Sequence, residues 1–151
     1  ELLRDGDWVE AERALRAVLA ADPGNAYAQQ YLGQALEMAG DPEAAQRAYE
    51  AAEKLSPEYL GATLGVGRTL RTRGRLDEAA TVLERLLAKW PEDADGLYLA
   101  GLVSAERGDG KRAIGYLERF LATRPEAEAR FDAEALVTAL KGKAKPLSIV
   151  N

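Results

Sequence analysis

Any acid–base or metal chemistry in this chain must be assembled from carboxylates, because its 151 residues contain neither histidine nor cysteine. Their absence removes the commonest general base and metal ligand, thiolate zinc sites, disulfides, and every Ser-His-Asp or Cys-His nucleophile. The carboxylates that remain are many but dispersed. Glu10, Glu12, Glu43, Asp77 and Glu78 fall with Arg13, Arg16 and Arg47 on the outer faces of helical segments, the pattern of a solvated surface. Asp5, Asp7, Asp93 and Asp95 are too scattered to build a calcium loop. Three short motifs invite a chemical reading and fail it. Gly65-Val66-Gly67 starts like a dinucleotide-binding loop, yet it lacks the third glycine and no strand precedes it. Gly108-Asp109-Gly110-Lys111 has the outline of a phosphate-binding loop without the Ser or Thr after lysine or the upstream glycine. Arg107-Gly108-Asp109 spells a tripeptide that some cell-surface receptors read, but it stands where Gly40 and Gly74 also close a helix. No catalytic residue, cofactor site or metal site is expected, and the chain reads as a non-enzyme.

Charge narrows the partners. The formal net charge is −5, and residues 1–140 hold 17 basic against 25 acidic side chains, a balance of −8. An acidic body argues against nucleic acid as a ligand. No apolar run approaches the roughly 18 residues that span a bilayer, so membrane insertion is not expected.

Whatever these side chains do, a repeated pair of helices positions them. The stretch from Tyr31 to Pro57, moved forward by 34 residues, lands on Gly65 to Pro91, and moved again lands on Leu99 to Pro125. Four registers coincide at that interval. Gly33, Gly67 and Gly101 fall within the first helix of each pair; Gly6, Gly40, Gly74 and Gly108 at the turn; Ala11, Ala45, Ala79 and Ala113 on the second helix; Pro23, Pro57, Pro91 and Pro125 close each unit. Glycine opposite alanine is expected to let two helices approach closely. Glycine at the turn can adopt the left-handed conformation that ends a helix, and proline prevents continuation. The apolar stripes place Trp8, Ala11, Leu15 and Val18 inward on the first helix, Leu32, Gly33 and Leu36 on the second, and Ala45, Tyr49 and Ala52 on the third. Asn25 suits an N-cap. The helices are expected at about 7–21, 26–39, 42–55, 59–73, 76–89, 93–107, 110–123 and 126–141.

In these positions the chain resembles the tetratricopeptide repeat family, a 34-residue helix–turn–helix array. The residues that carry the resemblance are the pairs Leu32-Gly33, Val66-Gly67 and Ala100-Gly101, the four alanines and four prolines above, and Leu15, Tyr49, Leu83 and Leu117. It covers residues 6–125, about three and a half units. Two family positions differ: the first-helix tryptophan is Gln29, Thr63 and Leu97, and the late second-helix alanine survives only as Ala52, being Val18, Leu86 and Phe120 elsewhere. The resemblance implies an all-α fold, a right-handed superhelical α-solenoid of antiparallel helix pairs. Its expected organisation is a repeat array over residues 1–125, with a partial repeat at 1–25 and full repeats at 26–59, 60–93 and 94–127. A capping helix follows at 126–141, with Phe131 and Ala135 at the packing positions, and then a flexible tail at 142–151. The chain opens at Glu1, without methionine and inside a repeat, so it reads as an excised segment.

In that family the first helices expose one face along a concave groove where extended peptides usually lie. Projected onto this arrangement, the lining is Tyr27, Gln30, Gln34, Glu37 and Met38 from the first complete unit. The second unit supplies Leu64, Arg68, Arg71 and Thr72, and the third Asp95, Tyr98, Leu102 and Glu106. Tyrosines and a methionine around two arginines suit a peptide, with arginine able to grip a carboxylate in two-pronged fashion. A plainer reading pairs Arg68 and Arg71 with Glu37 and Glu106 on adjacent helices. The lysine-and-asparagine clamp by which some members hold chaperone C-termini is missing, since Gln30, Gln34, Gly65, Asp95 and Leu99 occupy its places. The expected function is a non-enzymatic scaffold binding a partner peptide or helix in the groove, and replacing Arg68 and Arg71 by glutamate should abolish capture. One alternative is self-assembly into a homo-oligomer through the terminal helices, with Leu136 and Leu140 uncovered on the last helix, or through Pro146–Val150 in a neighbour's groove. Another is a regulatory arm of a larger enzyme. Alanine and arginine usage points to a bacterial source, with cytoplasm and periplasm both open.

Overall fold

The computed structural model describes residues 7–144. Within them lie eight α-helices and no strand: α1 (Trp8–Ala21), α2 (Ala26–Met38), α3 (Pro42–Leu55), α4 (Leu60–Thr72), α5 (Leu76–Lys89), α6 (Ala94–Glu106), α7 (Gly110–Ala122) and α8 (Ala127–Ala144). Local chemistry fixes most of their ends. Asp7, Asn25, Asp41, Asp93 and Asp109 each accept a hydrogen bond from the backbone N–H three residues ahead, satisfying a donor that the first turn leaves open. Pro42, whose missing N–H is harmless there, opens α3. Gly40, Gly74 and Gly108 take φ of 84°, 72° and 80°, and the following N–H returns to Leu36, Leu70 and Ser104 respectively. These left-handed closures end α2, α4 and α6 in the same way.

The chain divides into two compact units after Val82, inside α5. In the first unit α2 packs on α1, α3 and α4, and α3 packs on α4. Its core is Ala11, Leu32, Leu36, Ala45, Tyr49, Ala52, Val66 and Leu70, all buried. Among these, Tyr49 of α3 is the largest, and it explains the helical glycines. A Cβ on Gly33 would lie 2.8 Å from the Tyr49 ring, and one on Gly65 only 2.5 Å from it. The first-helix glycine therefore makes room for the bulky residue one turn beyond the expected alanine. In the second unit the same rule holds, since a Cβ on Gly101 would meet Leu117 at 2.7 Å and the Ala113 carbonyl oxygen only at 3.6 Å. There α7 packs on α6 and α8 around Leu83, Leu86, Leu97, Val103, Leu117 and Phe120. Lys141 pairs with Glu118 at 2.7 Å and ties α8 to α7.

Four expectations need correction. Val18 lies 43% exposed on α1, while Ala11 of the same stripe is buried. On α8 it is Ala133 and Val137 that are buried, whereas Phe131 is 62% exposed and Ala135 is exposed. The α8 face that meets α7 is covered; the face carrying Phe131 would need a following helix, and none lies among the described residues. Leu136 and Leu140 are half-buried rather than uncovered, with Leu140 reaching the start of α7 near Gly110. Finally, α8 runs to Ala144, three residues past the expected stop. Lys141 and Lys143 in its last turn complement the helix's negative end. The rest of the expected tail, including Pro146–Val150, lies outside the described residues, as do Gly6 and Asp5.

One turn breaks the pattern. Asp22 and Ser56 precede their prolines with φ of −137° and −144°, but Arg124 precedes Pro125 with φ of 58°. It is the only non-glycine with positive φ among the described residues.

Candidate functional site

In the first unit α2 and α4 pack together and present adjacent surfaces. On α2, Tyr27 is 63% exposed and Met38 49% exposed, with Gln34 half-buried between them. On α4, Leu64, Arg68 and Arg71 are half-buried and Thr72 is exposed. At the centre stands a closed polar cluster. The Arg68 guanidinium donates from Nε to Glu37 Oε1 at 2.6 Å and from Nη2 to Glu37 Oε2 at 2.8 Å, a bidentate pair. The Tyr49 hydroxyl donates to Glu37 Oε2 at 2.8 Å and accepts from Arg68 Nη2 at 3.1 Å. Burial first, and then the Glu37 charge, raise the Tyr49 pKa far above its ordinary value. The hydrogen bond to Glu37 leads the causes that raise Arg68 above its own. Arg68 and Glu37 thus satisfy each other, with side chains 39% and 19% exposed, so Arg68 is not a free grip for a partner's carboxylate. The plainer of the two sequence readings holds for this pair. Arg71 is also engaged.

Gln30 is half-buried. Its amide lies where a Cβ on Gly61 would stand, 2.6 Å from Oε1, so it packs into the α2–α4 seam. Two further aromatics near Tyr27 were not among the expected groove residues. Tyr59, in the turn before α4, packs edge-on against Tyr27 with centroids 4.8 Å apart. Tyr31, one turn along from Tyr27, is exposed as well. Desolvation, followed by Tyr31 and then Tyr27, raises the Tyr59 pKa. A signal was available for Tyr31, which follows Tyr27 by four residues and so shares its face. None pointed to Tyr59, which the sequence places at the start of the 59–73 helix and the structure places at the N-cap just before α4.

In the second unit the expected residues lie on α6 alone. Asp95 and Glu106 are exposed, and Tyr98 and Leu102 are half-buried. Tyr98 packs on Phe120 with centroids 4.9 Å apart and planes tilted by 43°, so part of its ring is structural. The arrangement offers aromatic and aliphatic area with a neutralised ion pair. Among the described residues no three acidic side chains gather in a way that could hold a metal ion, and no helix is long and apolar enough to cross a membrane.

Family models described as "Tetratricopeptide repeat" match the chain at residues 39–93 and 64–128, and a second at 2–54. No curated protein sequence matches it. Among solved structures, "Crystal structure of MamA" is 27% identical with a TM-score of 0.82, over 91% of this chain and 80% of that one. PilF of Pseudomonas aeruginosa is 23% identical with a TM-score of 0.81, over 93% and 65%. YrrB, described as "a TPR protein with an unusual peptide-binding site", is 24% identical with a TM-score of 0.75, over 85% and 66%. Repeat period, capped helical hairpins, glycine-to-bulky packing and these matches agree, and the chain belongs to the tetratricopeptide repeat family.

Proposed function

We propose that the protein is a non-enzymatic scaffold that docks an extended segment or helix of a partner protein on the exposed faces of its first-of-pair helices. The observation that carries this is the α2–α4 surface: Tyr27 and Met38 stand out from a floor whose charges, Glu37 and Arg68, are already paired. Exposed aromatics supply contact area at low conformational cost. A partner that displaced the ion pair would have to replace a bidentate interaction, so apolar and aromatic contacts dominate the recognition. Replacing Arg68 by glutamate is no longer a clean test, because it sets two carboxylates together beside Tyr49. The test is Tyr27→Ala with Met38→Ala, both at exposed positions. Partner capture by the wild-type chain and its loss in this variant, at unchanged thermal stability, support the reading; undiminished capture removes it.

A second reading, self-association, is favoured by Phe131, whose exposed ring lies on the α8 face that no described helix covers. Light scattering over a range of concentrations tests it, and a constant monomer mass excludes it.

A further inference from the structure

In the second unit a groove of about 610 Å³ lies between the start of α7 and the end of α8. Its floor is apolar, formed by Ala105, Ile114 and Leu140, and Lys111 and Lys143 stand at its edge. Both lysines are exposed, and neither has an acidic partner among the described residues, whereas neighbouring Lys141 is held by Glu118. Two cations without an acidic partner among the described residues, beside an apolar floor, complement a ligand that joins hydrocarbon to a carboxylate. The positive end of α7 does not compete for that carboxylate, because Asp109 already caps it through the Arg112 N–H at 3.1 Å. This also settles the Gly-Asp-Gly-Lys stretch as a capped turn rather than a phosphate loop. At the groove's edge Gly110 carries no side chain, and a Cβ there would meet nothing nearer than Leu140 at 3.9 Å, so a ligand backbone can come close.

We propose that this groove is a second docking site, separate from the α2–α4 surface, for a partner peptide carrying an aliphatic side chain next to an aspartate or glutamate. The probe is a capped decapeptide with Leu-Leu-Asp-Glu at its centre, titrated into the full chain at low salt. Binding is followed by fluorescence anisotropy and by the amide and methyl signals of Gly110, Ile114 and Leu140. The acidic peptide should bind at least tenfold more tightly than a control with Lys-Lys in place of Asp-Glu, and should shift those signals. Lys111→Glu with Lys143→Glu, at exposed positions, should reverse the preference; Lys111→Gln with Lys143→Gln should abolish it. Equal binding of the two peptides, or shifts confined to α2 and α4, would overturn the proposal. So would decanoate competing as well as the peptide, which would assign the groove to acyl carboxylates. Binding that emerges only after deletion of residues 146–151 would also overturn it, by making the chain's own tail the occupant.

Discussion

Alanine in place of Gly65 should destabilise the protein, against the usual expectation for a helix interior. Its Cβ would stand 2.5 Å from Tyr49 Cδ1 and 2.6 Å from Cγ and Cε1. Carbon atoms settle about 3.5–4.0 Å apart, so the ring would have to move by about 1 Å. It has no room to do so. Gly33 crowds the same Cδ1–Cε1 edge, its own Cβ position 2.8 Å away, and the hydroxyl is bonded to Glu37 and Arg68. Overpacking of a filled core costs about 1–3 kcal/mol, and a ring already crowded by Gly33 and tied through its hydroxyl puts this case near the upper end. Alanine's helix propensity offsets about 1 kcal/mol of that, leaving a net loss of about 1–2 kcal/mol. Gly115, exposed on α7 with nothing within 4 Å of its would-be Cβ, is the matched control. There the same substitution should stabilise by about 1 kcal/mol. Thermal unfolding followed by circular dichroism would show the two variants on opposite sides of wild type, about 6–9 °C apart in Tm at about 3 °C per kcal/mol. Combining Tyr49→Leu with Gly65→Ala should cost at least about 1 kcal/mol less than the sum of the two single changes, about the coupling expected of residues in contact. A Gly65→Ala chain as stable as wild type would refute the wedge.

Other outcomes follow from the same coordinates. Tyr49→Phe removes a hydroxyl bonded to Glu37 and Arg68 and should cost about 1–2 kcal/mol in urea unfolding. Burial and Glu37 raise the folded Tyr49 pKa above the ordinary 10.0, so its contribution to stability is complete below pH 10 and lost as pH rises toward the folded value. The wild type should therefore weaken above pH 10 more steeply than the Phe variant; parallel curves would contradict this. Arg124→Gly relieves a left-handed backbone and should raise stability by up to about 1 kcal/mol, read as a higher Tm. Lys141→Ala breaks a pair in which both side chains are more than half exposed, and should shift stability by less than about 1 kcal/mol.

The helices were legible because a 34-residue period repeats the same small, bulky and breaking residues, and each type acts locally. Asn25, Gly40 and Pro42 carry out in the structure what their chemistry states in the sequence. Contacts across helices were less legible. The alanine register suggested that Gly33 faces Ala45, yet the steric demand comes from Tyr49, and period alone cannot say which of two inward residues fills a gap. The Glu37–Arg68 pair was one of two readings, since spacing fixes the face on which a residue lies but not whether its charge is already matched. Tyr59 escaped notice because, at the very end of the expected 59–73 helix, periodicity does not say which way a capping residue turns. Val18 and Phe131 are apolar residues at inward registers whose covering partner is missing among the described residues.

Tyr49 belongs to α3, yet its ring is gripped by glycines of two other helices and its hydroxyl bonds to side chains of both. A helical pair built this way cannot fray by itself. Releasing α2 strips the Gly33 contact from the ring and an acceptor from its hydroxyl, and releasing α4 strips the Gly65 contact and a donor. The three helices should accordingly open as one cooperative block, with amides deep in α2 and α4 exchanging at a common rate, so that a single side chain sets the smallest length of this array able to stand as a folding unit.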